Sequence, residues 1–127
     1  MPEDAALALH ISEDSRLVIP VTSEEFVKSL YPFSAVLGFR LHACITAVAL
    51  DIPVVGMIWD PKTKFFAQSV GLADLFIEPN KFDAKYIVDK IEFSLHKQTN
   101  REIIEELKIR TKSAICAFLN QESGWNN

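Results

Sequence analysis

Residues 34–59 read SAVLGFRLHACITAVALDIPVVGMIW, and the fold class is decided there. Two short apolar runs, 34–39 and 53–59, have the unbroken hydrophobicity of strands buried on both faces. Between them, residues 40–50 are helical in composition, with Leu41, Cys44, Ile45, Val48 and Ala49 on one side. Asp51, Ile52 and Pro53 supply the turn into the second run. Strand, helix and strand at this spacing make a βαβ unit, with parallel strands and a right-handed crossover.

The pattern continues in both directions. Upstream, residues 16–21 read RLVIPV, a β-branched run fit for a strand, and Pro20 puts it at an edge or marks its end. Thr22 or Ser23 can cap a helix with Glu24 and Glu25 in its first turn, an apolar face of Phe26, Val27 and Leu30, and a stop at Pro32. A short helix is expected over residues 3–11. Downstream, Asp60 caps a helix with Pro61 at its first position, Phe65, Phe66 and Val70 turned to the core, and Gly71 closing it. Residues 75–77 read as a short fourth strand. Residues 84–97 form an amphipathic helix through Ile87, Val88, Ile91 and Leu95. Asn100 caps a long last helix whose stripe runs Ile104, Leu107, Thr111, Ile115, Phe118. Strands alternating with helices predict an α/β fold, a Rossmann-like parallel sheet with flanking helices. The 127 residues fit one such domain.

Composition narrows the function. Residues 1–30 hold six acids against two bases, and the rest of the chain is balanced at eleven of each, so the whole net charge of −4 lies at the start. There is no basic face of the kind nucleic acid requires. Met1, Pro2, Glu3 and Asp4 lack the character of a signal peptide, and the longest apolar run, 43–50, is too short to span a membrane. A cytoplasmic protein without membrane insertion is expected. Cys44 and Cys116 show no CxxC spacing and read as buried thiols rather than metal ligands or a disulfide. His10, His42 and His96 are isolated, so no metal site is expected. The glycine-rich nucleotide fingerprints are absent, and no serine sits in a nucleophile elbow.

Parallel sheets bind ligands at the carboxyl ends of their strands, where helix N-termini also point. That rule selects Arg40, Leu41 and His42 after the second expected strand, and Asp60 and Lys62 after the third. Arg40, His42 and Lys62 on one rim, with two helix N-termini, are chemistry for an anion. Cations in a first helical turn stand against the helix dipole, which an anion bridging them would relieve. The plain alternative is that Arg40 pairs with a local acid and His42 is a half-buried, hydrogen-bonded histidine.

These residues carry a resemblance. The stretch VLGFRLHACITAVALDIPVVGMIWDPKTKFFAQSVGL, residues 36–72, resembles the C-terminal part of the polysaccharide pyruvyl transferase family. Its elements are Arg40-Leu41-His42 opening a small-residue helix, a Pro53-Val54-Val55 strand, Asp60-Pro61-Lys62 opening the next helix, and a Gly71-Leu72 end. The likeness is strongest over residues 36–78. It implies a glycosyltransferase-B-like architecture of two Rossmann-like halves facing a cleft, of which this chain holds the last part of the C-terminal half. It implies transfer of pyruvyl from phosphoenolpyruvate to two hydroxyls of a saccharide acceptor, as a ketal on a surface polysaccharide. By the same resemblance Arg40 grips the donor's anionic groups, His42 handles protons, Leu41 shapes the pocket, and Asp60 and Lys62 belong to the donor site or its scaffold. Trp59 stands where the family often has a smaller ring. No cofactor or metal is demanded by these residues.

Full-length family members are more than twice this long, so turnover by this chain alone is not expected. The last helix is then expected to serve as a homodimer element. Two alternatives stand beside this reading: a non-catalytic, self-associating module on the same fold, and a sugar-nucleotide glycosyltransferase half. The second would want a donor-ribose acid in the later helix.

Overall fold

Residues 16–97 and 99–122 are described by a computed structural model. The helix expected over 3–11 and His10 lie outside them. The chain divides into two compact units, 1–34 and 35–127.

In the first unit, α1 (Ser23–Leu30) starts at a reciprocal cap. The Glu25 amide donates to Thr22 Oγ1 at 3.1 Å, and the Glu25 carboxylate accepts from the amides of Thr22 (3.3 Å) and Val21 (2.8 Å). Leu30 is buried, with Phe26 and Val27 half-buried. The strand expected at 16–21 does not form: Leu17, Val18, Ile19 and Val21 are exposed and irregular. A β-branched run states a conformational preference, but a strand exists only through a partner, and all three strands of the sheet come from residues 36–77.

In the second unit, β1 (Val36–Gly38), β2 (Val54–Met57) and β3 (Phe76–Ile77) pair in the order β1-β2-β3, all parallel. The crossovers are α2 (Leu41–Ala49) and α3 (Pro61–Ser69), and after β3 come α4 (Ala84–His96) and α5 (Arg101–Glu122). This is the α/β parallel sheet with flanking helices that the sequence predicts. Cys44, Ala47 and Val48 of α2, Ala67 of α3 and the adjoining Val70 form one buried cluster with Val54 and Phe76, and Ile104 and Leu107 of α5 pack against it. Alternation turns Val55 and Met57 to the other face, and α4 packs against β2 there. Among the described residues no helix is long and apolar enough to cross a membrane.

The two crossover helices end alike. Asp51 and Gly71 take left-handed backbones (φ 60° and 70°). The next amides, of Ile52 and Leu72, donate back to the carbonyls of Ala47 and Ala67, both at 2.9 Å. This paired closure satisfies the last carbonyls and sends the chain into the next segment.

Two glycines set how closely the layers approach. Gly56 pairs in register with Phe76, and a Cβ on Gly56 would lie 2.1 Å from the Phe76 ring. A Cβ on Gly38 would lie 2.4 Å from Cys44 Sγ. The cluster is therefore filled by a ring and a thiol in space that the two glycines leave open.

Several helix faces differ from expectation by one position. Ala47 is buried where Ile45 and Ala49 were expected, and both of those are exposed. Phe65 is 72% exposed, while Thr63 is buried. The cap explains α3: Thr63 satisfies its hydroxyl on Asp60 at 3.0 Å, which allows a polar residue inward and rotates Phe65 out. On α4, Ser94 is buried and donates to the Ile91 carbonyl at 2.7 Å, whereas Val88 and Leu95 are exposed. Among residues 101–120 of α5, Ile103, Ile104 and Leu107 are half-buried, and residues 108–120 are exposed. Cys116 is accordingly exposed, not buried: with Ile115 it lines an open apolar cavity between α5 and the domain.

Candidate functional site

Parallel pairing brings three strand-to-helix junctions to one edge of the sheet. Gly38 lies opposite Gly56, and Met57 opposite Ile77. The Ile58 amide donates to the Ile77 carbonyl at 2.9 Å, extending the ladder to the edge. The chain leaves this edge through residues 39–40 into α2, 58–60 into α3 and 78–83 into α4.

Arg40 is the N-cap residue of α2, extended and exposed, and its carbonyl accepts from the amides of Ala43 (3.0 Å) and Cys44 (3.3 Å). Its side chain makes no capping hydrogen bond, and the first turn of α2 holds no acid. The other described α-helices start on an oxygen cap: Thr22 for α1, Asp60 for α3, Asp83 for α4 and Asn100 for α5. The start of α2 therefore presents first-turn amides that no side-chain cap occupies, with the Arg40 guanidinium carried at the cap position. His42 is exposed in this first turn, and its carbonyl accepts from Thr46 Oγ1 at 2.8 Å. Leu41 is half-buried.

Asp60 has a defined task. It accepts from the Thr63 amide at 2.8 Å as well as from the Thr63 hydroxyl. The Thr63 amide first, and its hydroxyl next, hold the Asp60 carboxyl below its ordinary value, with Lys62 adding to the effect. Asp60 is thus an ionised cap for α3, not a proton donor at neutral pH. Lys62 stands exposed in the first turn of α3. All five sequence-selected residues lie at the same edge, and Arg40 and His42 share one helix start that Asp60 does not reach as a cap.

Three aromatic rings also stand at this edge, outside the residues that the strand-end rule selects. Phe39, Trp59 and Phe82 each stand directly before a helix cap: Arg40, Asp60 and Asp83 respectively. The rings meet, Phe39 to Trp59 at 6.2 Å between centroids and 29° between planes, and Trp59 to Phe82 at 5.3 Å, edge-on. The signal was present as an aromatic residue before the cap at three successive junctions.

An apolar cavity of about 480 Å³ lies elsewhere, walled by Ile45 and Val48 of α2, Phe66 of α3, and Leu107 and Ile115 of α5. It contains none of the edge residues and follows from α5 standing off the domain. Among the described residues no group of three or more His, Cys, Asp or Glu side chains is gathered in metal-binding fashion. No protein-family model matches the chain, and neither a curated protein nor a solved structure does.

Proposed function

We propose that the carboxyl edge binds phosphoenolpyruvate, and that the chain is a segment of a polysaccharide pyruvyl transferase built on a glycosyltransferase-B-like plan. The observation that carries this reading is the start of α2, where Arg40 at the cap position and His42 in the first turn stand exposed beside helix amides at the carboxyl edge of the sheet. Phosphoenolpyruvate bears a phosphate and a carboxylate, which a planar guanidinium and helix amides suit. Lys62, at the neighbouring junction, adds positive charge, and Leu41 forms the apolar side of the site. Asp60 serves as scaffold.

The reaction this reading assigns balances without a redox partner. The methylene carbon of the enol gains a proton while a sugar hydroxyl attacks the neighbouring carbon. Phosphate leaves, and a second hydroxyl of the same acceptor attacks to close the ketal. The two hydroxyls lose two protons; one is retained by the new methyl group and one leaves with phosphate. His42, exposed beside Arg40, is the group assigned to pass these protons. Such a reaction fits a cytoplasmic protein.

The test is a titration of phosphoenolpyruvate by calorimetry into the full chain and into Arg40→Ala. Saturable binding weakened at least about tenfold by the substitution supports the reading. Equal binding by both proteins, or none by either, rejects it.

A second reading, a non-catalytic self-associating module, is favoured by α5, where Ile109, Ile115, Phe118 and Leu119 are all more than half exposed. It makes α5 the contact of a homodimer. Sedimentation of a strict monomer at micromolar concentration removes it.

A further inference from the structure

We infer that Phe39 and Trp59, steadied by Phe82, form a platform for the apolar face of a saccharide ring at the carboxyl edge of the sheet. The inference rests on the pyruvyl-transfer reading for the identity of the ring, and on the rings themselves for the existence of a site.

Three junctions that are some twenty residues apart in sequence each deliver one ring to the same place. Phe82 is half-buried and meets Trp59 edge-on, so it supports the indole. Phe39 and Trp59 remain 50% and 59% exposed. Their tilt of 29° and centroid separation of 6.2 Å exclude face-to-face contact without a large lateral offset. Half or more of each of these two residues is therefore accessible to a ligand. An aromatic face carries negative quadrupole charge and attracts the polarised C–H groups on the apolar side of a sugar ring. The sugar's hydroxyls would project sideways toward hydrogen-bonding groups.

Those groups are next in the chain. Phe39 is bonded to Arg40, and Trp59 to Asp60. A sugar lying on the two rings has the proposed donor site directly at its margin, which ketal formation requires, since two acceptor hydroxyls must reach one donor carbon. A nucleobase is the competing ligand for such rings. The sequence supplies no glycine-rich phosphate loop to accompany one, which favours the saccharide.

The experiment uses the full chain with Trp125→Phe, so that Trp59 is the only indole, and follows its fluorescence. Neutral galacto-, gluco- and manno-tetrasaccharides are titrated separately, with adenosine monophosphate as the nucleobase arm and phosphoenolpyruvate in parallel. At least one tetrasaccharide is expected to give a saturable change in the millimolar range. Phe39→Ala is expected to weaken it about fivefold or more, and Trp59→Tyr to retain binding by calorimetry while Trp59→Ala loses it. Should Trp59→Ala misfold by circular dichroism, Phe39→Ala carries the test. No saturable response to any tetrasaccharide, a response indifferent to Phe39→Ala, or saturation by the nucleotide alone overturns the inference. Saccharide binding without phosphoenolpyruvate binding sustains the platform and removes the donor reading; the reverse removes the platform alone.

Discussion

Strand β2 and the outer half of α5 are both rich in apolar residues, yet they end in opposite environments. All four residues of β2 are buried, whereas Ile109, Ile115, Phe118 and Leu119 of α5 are 54–64% exposed. The strand has neighbours delivered to both sides by short crossovers, and its Gly56 leaves room for the Phe76 ring. The helix reaches the α2–α3 cluster only through its first turns, at Ile104 and Leu107. Apolar periodicity marks a residue that gains from burial, but a surface of matching shape must be in reach before that gain is realised.

The two cysteines offer the widest separation between these regions. Cys44 is inaccessible, and burial pushes its thiol up to about 11, so its thiolate fraction at neutral pH is on the order of 10⁻⁴, against a few per cent for an ordinary thiol. Cys116 is exposed on α5. Native alkylation by iodoacetamide should modify Cys116 on the order of a thousandfold faster, read by mass spectrometry. Comparable rates would mean that the cluster around Cys44 opens readily.

Filling the glycine spaces should produce the next largest effect. Gly56→Val should destabilise by about 3 kcal/mol in urea unfolding, because the Phe76 ring is buried and has little room to retreat. Gly38→Ala should cost about 1–2 kcal/mol, and adding Cys44→Ala should recover part of it, since the thiol is the atom it strikes. Losses under about 0.5 kcal/mol in both would show a core looser than its burial implies.

Acid should act on the α3 cap. The folded-state value of Asp60 lies below its ordinary 3.8, so the unfolded chain binds that proton more readily. Its stabilising contribution is complete above the unfolded value and is lost as pH falls through the folded one. Asp60→Asn should flatten this part of the acid limb in thermal melts; an unchanged limb would show that the carboxylate's charge is immaterial there. The smallest effect belongs to α5. Phe118→Ser should change the stability of the monomer by no more than about 0.5 kcal/mol, and a larger loss would reveal cover for that ring.

The fold was readable where chain neighbours are also spatial neighbours. Helix starts at Thr22, Asp60 and Asn100 are local hydrogen-bond chemistry, and each occurs where the sequence places it. So do the parallel strands around α2 and the helix-ending Gly71. The run at 16–21 misled because its composition is right for a strand while its pairing depends on residues elsewhere. Phe65 departs from its hydrophobicity because the Thr63–Asp60 bond turns Thr63 inward on the helix. At the edge, Arg40 and His42 could be selected from the strand-end rule, but the meeting of Phe39, Trp59 and Phe82 depends on sheet register, which no single stretch contains.

The fit of Phe76 over Gly56 has an evolutionary corollary. Between them the two positions share one allotment of volume, so neither can drift independently. Any descendant or relative that acquires a methyl group at position 56 should carry a smaller side chain at 76, and the pair should covary across a family.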